Sequence, residues 1–175
     1  MERPTTLRRF FFGLAESTFQ TRLGVADPPL IDYVAELMVR FVRSDAVYRV
    51  RDLGGRRLEE LADMLIEANQ RVGDARREVH RHVGDFALFW TGVYPEALER
   101  RQGKLSKDQL LDYTEQGKRA YYIASTIPAE ENAPQGEVLQ RLSEQFELCA
   151  FGLRELRKEL EARDDDGTPQ PFLLN

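Results

Sequence analysis

Two carboxylates and an imidazole share one stripe near the middle of the chain. At 100° per helical residue, Glu78, His82 and Asp85 fall within about 60° of one another. Oxygen and nitrogen donors of this kind suit a divalent metal. A carboxylate site in a helical bundle also draws ligands from facing helices, and Asp108, Asp112 and Glu115 supply an acidic stripe at four- and three-residue spacing. Two observations weigh against the metal. Neither Glu-x-x-His nor His-Glu-x-x-His occurs, and Arg81 stands beside the stripe, where pairing with Glu78 or Asp85 is the plainer chemistry. His80 projects from the opposite side of the same helix and is expected at the surface.

Two further groups are candidates for binding. Between Arg40 and Arg57 six arginines face only Asp45 and Asp52, which makes Arg49, Arg51, Arg56 and Arg57 a candidate anion-binding surface. The alternative is that these arginines pair with neighbouring carboxylates on a solvated loop. Phe86-Ala87-Leu88-Phe89-Trp90 leaves no polar face, so this turn and a half is either core or the wall of an apolar pocket formed by Phe86, Phe89 and Trp90, with Tyr121 adding a polar tip. The lone Cys149 falls on an apolar helical stripe, which fits a buried inert thiol rather than a nucleophile. No phosphate loop, nucleophile elbow or histidine-paired cysteine signature is present, and no cofactor is indicated.

The elements that would position these groups are all helical. Helical periodicity runs from Thr5 to about Arg22, with Gly24 as a stop. Asp27 N-caps a helix that opens on Pro28 and runs to about Arg43. Residues 44 to 57 break the pattern and read as loop, with a turn at Gly54-Gly55. Leu58 to Val72 is helical, followed by a central helix from about 74 to 93 and a short one from Glu96 to Arg101. Ser106 and Gln109 form a capping box that predicts a helix from Lys107 to about Ile127. The last helix, Glu137 to about Arg163, keeps Val138, Leu142, Phe146, Cys149, Leu153, Leu156 and Leu160 on one seam. Small residues line up as Gly84, Ala87 and Thr91 on the central helix and as Gly117, Ala120 and Ala124 on the helix after it. Those two stripes are expected to face each other at close range.

The expected fold is therefore all-α: a single-domain helical bundle over residues 1–163, of about five long helices and a short one, followed by an acidic, proline-containing tail at 164–175. The net charge of −5 argues against generic nucleic-acid binding. Arg8-Arg9-Phe10-Phe11-Phe12 fails as an export signal because its apolar run ends at Ala15, and no window matches a membrane span; a cytoplasmic protein is expected. On these grounds the leading functional expectation is a non-catalytic helical protein that acts through protein contacts, with a homodimer along the 138 to 160 seam as its simplest form. A small-molecule or lipid binder with the aromatic cluster as pocket wall, and a metal-dependent enzyme using Glu78, His82 and Asp85, are the alternatives.

Overall fold

A computed structural model describes residues 3–42 and 44–165. Among them the protein is all-α: nine α-helices and one π-helical stretch, with no strand beyond a single antiparallel bridge between Arg51 and Arg57. From residue 166 on, the acidic, proline-containing tail lies outside the described residues. No helix is long and apolar enough to cross a membrane. The chain divides into two compact units, Met1–Val47 with Phe151–Asn175, and Tyr48–Ala150.

In the first unit α1 (Arg3–Glu16) runs on as a π-helical stretch, Ser17–Arg22, with the Leu23 amide donating to the Thr18 carbonyl five residues back. Gly24 ends it at φ +68°, a conformation that costs glycine nothing. Asp27 caps α2 (Pro28–Phe41) by accepting from the Leu30 amide, as its position before Pro28 predicts. The short α3 (Ser44–Val47) follows. Phe11, Leu14 and Phe19 are buried with Leu30, Val34, Leu37, Met38 and Phe41. Gly152 lets the last helix come against Phe19 so closely that a Cβ there would lie 2.2 Å from the Phe19 ring.

The second unit holds the candidate chemistry. Residues 48–60 fold back on themselves in a tight hairpin, the Leu58 amide donating to the Val50 carbonyl, with Gly55 at φ +81° in the turn. Then come α4 (Leu61–Gln70), α5 (Gly73–Gly92), α6 (Pro95–Arg101), α7 (Tyr113–Thr126) and α8 (Gly136–Glu144). The last helix, α9 (Phe146–Asp165), begins in this unit and ends in the other. α5 is central, packing against α4, α6 and α7.

Two sequence expectations about helix ends are corrected. The helix expected from Lys107 begins at Tyr113, because Asp108 is turned inward and fully buried. Its carboxylate accepts the Leu61 and Ala62 amides at 2.9 and 2.8 Å and the Tyr113 hydroxyl, so it caps α4 from 46 and 47 residues away. α4 has no side-chain cap of its own. The start of α7 falls to Asp112, which accepts from the Glu115 amide. The second correction is at Gln145, whose non-helical backbone (φ −111°, ψ 28°) divides the expected last helix into α8 and α9. The break places the Phe146 ring on Gly117, where a Cβ would lie 2.5 Å from it.

The small-residue stripes do meet. A Cβ on Gly117 would come within 2.9 Å of the Ala87 Cβ, and one on Gly84 within 2.6 Å of the Tyr121 ring, which lies one residue from Ala120. Close approach of α5 and α7 is thus bought with glycine on both helices.

Candidate functional site

α5 buries an unusual set of polar side chains for the middle of a bundle: Arg77, His80, Arg81, His82 and Asp85. Each buried polar group needs a partner or carries an uncompensated desolvation cost. Tracing the partners separates structural groups from an uncommitted one.

Arg77 is fully buried and donates to the carbonyls of Ile127 and Pro134, stapling the connection after α7. Glu78 accepts from Arg49 at 3.2 Å and Arg81 at 2.9 Å. Burial pushes the Glu78 carboxyl up, but hydrogen bonds and charge from Arg81 and Arg49 outweigh it and hold the group below the ordinary glutamate value. Asp85 is fully buried, accepts the Tyr121 hydroxyl at 2.7 Å and lies 3.9 Å from the Arg81 guanidinium. His82 is fully buried with its ring 6.2 Å from Phe86. Glu78 and Asp85 are therefore the two ends of a ladder through Arg81. Among the described residues no group of three or more His, Cys, Asp or Glu side chains is arranged to hold a metal ion. Asp108 and Asp112 are helix caps, not members of a facing acidic stripe.

The four arginines read as an anion surface are dispersed. Arg49 pairs with Glu78, Arg51 donates to the Gly55 carbonyl of its own turn, Arg56 pairs with Asp52 at 3.3 Å, and Arg57 lies over the Tyr48 ring at 4.7 Å. The aromatic residues form packing rather than a wall. Phe86 sits among Tyr48, Trp90 and Tyr113, Phe89 between Trp90 and Tyr94, and Tyr121 lies apart against Gly84 and Phe146. The outer face of that cluster is taken by Arg101, whose guanidinium stands 4.6 Å over Trp90 and 4.9 Å over Phe86 and donates to the Tyr48 hydroxyl and the Glu59 carbonyl.

His80 remains. Contrary to its expected surface position it is only 2% exposed, and neither ring nitrogen has a hydrogen-bond partner among the described residues. It lines a cleft of about 210 Å³ with Leu65 and Asn69 of α4 and Gln116, Arg119, Ala120 and Ile123 of α7. The cause of the burial is the helix crossing: the α4 and α7 faces close over both sides of α5. Burial, then the charges of Arg76 and Arg119, lower the imidazole pKa from 6.5 to about 4. At neutral pH the ring is uncharged, with one N–H donor and one acceptor nitrogen.

The cleft is mixed in the way small-ligand sites are, with an apolar wall of Leu65, Ala120 and Ile123 and a few convergent polar groups. Sequence reasoning missed it because its residues come from three helices and form no spacing motif; only the singularity of two histidines in the chain pointed near it. Comparison with protein-family models, with curated proteins and with solved structures finds no match.

Proposed function

We propose that the protein binds a small molecule in the cleft between α4, α5 and α7. One observation carries the reading: a buried histidine lines that cleft with both ring nitrogens uncommitted. An orphaned buried polar ring costs on the order of 1–3 kcal/mol. A ligand that supplies its missing partners recovers that cost on binding. The cleft volume of about 210 Å³ lies below the roughly 300–1,000 Å³ of sites for drug-sized molecules, so the ligand is a small metabolite rather than a lipid. The site moves from the aromatic cluster to the other polar face of α5.

The test is a fragment screen read by nitrogen-15 NMR of the two imidazoles. Saturable shifts confined to His80 and to residues 116–123, and lost in His80→Leu, are expected. A screen of several hundred polar fragments that leaves the His80 resonances unmoved refutes the reading.

Action through protein contacts is a second reading, and it too rests on a specific observation. Leu105 and Leu110 are 103% and 94% exposed on the loop that buried Asp108 anchors. The seam first considered for a homodimer supports it less. Leu142, Phe146 and Cys149 are buried in the second unit, and Leu153, Leu156 and Leu160 in the first. Loss of a self-association or pull-down signal in the double variant Leu105→Asp, Leu110→Asp tests it. A cytoplasmic setting goes with either reading, since buried Cys149 is the chain's lone thiol.

A further inference from the structure

We infer that the ligand of the His80 cleft carries a carboxylate, held by Arg119 at the rim with the His80 N–H and the Gln116 amide as further donors. The inference rests on the binding reading above and adds the chemical class. Its first support is what the cleft omits. The chain is acidic overall, with a net charge of −5. Three other clefts each present carboxylates: Asp52, Glu59, Glu60, Asp63 and Glu67 in one, Asp74, Glu78, Glu130 and Glu131 in another, Asp112 in the third. The His80 cleft has none, and Arg119 is its charged lining residue.

The second support is that its polar groups are uncommitted. The side chains of Asn69, Gln116 and Arg119 have no hydrogen-bond or ion-pair partner among the described residues, in a protein whose other arginines pair widely. Arg76, on the His80 helix, donates one N–H to the Ala68 carbonyl and has no carboxylate within ion-pair distance among the described residues. The charges that bear on His80 are both positive, Arg76 from its own helix and Arg119 from α7, while α4 contributes the uncharged Leu65 and Asn69. Such a field attracts an anion and repels a cation.

The third support is shape. A guanidinium presents two parallel N–H groups that match a planar carboxylate. Arg119 is the one guanidinium among the lining residues, and its two-pronged face is filled by a single planar carboxylate. Leu65, Ala120 and Ile123 leave room for a short hydrocarbon body.

The experiment titrates the full chain with butyrate, butyramide and inorganic phosphate, following the His80 ring by NMR from pH 4 to 8. Butyrate is expected to bind saturably, with butyramide about tenfold weaker or worse, and to raise the His80 pKa as an adjacent negative charge must. Arg119→Gln removes that preference. Because Arg119 is exposed and has no ion-pair partner among the described residues, this variant keeps the fold. Arg119→Lys retains part of the preference.

Butyramide binding as tightly as butyrate, or a preference that survives Arg119→Gln, overturns the carboxylate while leaving a small-molecule site in place. Phosphate binding in preference to butyrate, with the same dependence on Arg119, also overturns it. If none of the probes binds and the fragment screen is blank as well, both readings fall together.

Discussion

Replacing His80 by leucine should stabilise the protein at neutral pH and flatten its response to acid. In the unfolded chain this imidazole takes up a proton near 6.5, whereas in the fold it stays neutral down to about 4. Between those values the unfolded state binds more protons, so stability falls as pH falls through the window and the loss is complete below about 4. At about 1.36 kcal/mol per pH unit, the span from 6.5 to about 4 corresponds to about 3 kcal/mol. His80→Leu cannot take up a proton, so the difference between the two proteins' unfolding free energies should change by about that amount across the window. At pH 7 the variant also removes two buried nitrogens that have no partner and should gain on the order of 1 kcal/mol. The assay is urea unfolding at half-unit pH steps, with His80 titrated separately by NMR. Parallel stability curves for the two proteins, or a measured His80 pKa near 6.5, would refute the reasoning. A variant less stable at pH 7 would mean that the ring has partners after all.

Three further outcomes follow from the packing. Gly117→Leu should abolish or severely weaken the fold, because even a Cβ there lies 2.5 Å from the Phe146 ring and 2.9 Å from Ala87; Gly117→Ala should cost about 1–3 kcal/mol in denaturant unfolding, the usual range for overpacking. Asp108→Ala strips two amides and a tyrosine hydroxyl of their acceptor and should cost about 2–5 kcal/mol, with hydrogen exchange fastest in the first turn of α4. Arg101→Met should destabilise less than Arg101→Ala in thermal unfolding, since part of what Arg101 does is to cover Trp90 and Phe86; equal losses would show that its bonds to Tyr48 and Glu59 carry the whole effect.

Much of the architecture could be read from local pattern. The cap at Asp27, the central position of α5, the stop at Gly24 and the facing glycine stripes all depend on spacing within a helix or on the conformational freedom of glycine. Those are properties that a run of residues carries with it wherever it packs. The misread starts and breaks depend on partners far away in sequence. Ser106 and Gln109 look like a capping box, yet the nearby Asp108 is spent on α4, 46 and 47 residues earlier.

The polar residues of α5 show the division most clearly. Sequence alone identified the helix and the stripe of Glu78, His82 and Asp85, and it named Arg81 as the natural partner of the carboxylates, which is how the structure pairs them. It assigned His80 to solvent because residues two apart on a helix point to opposite sides. On a helix with neighbours on several sides, opposite sides are both interior. Whether a side chain meets water or another helix is set by how many helices surround its own, and that number is decided only when the chain closes up. Tertiary structure therefore determined that His80 is buried, that its nitrogens are unpaired, and that Asn69, Gln116 and Arg119 from two other helices share its cleft.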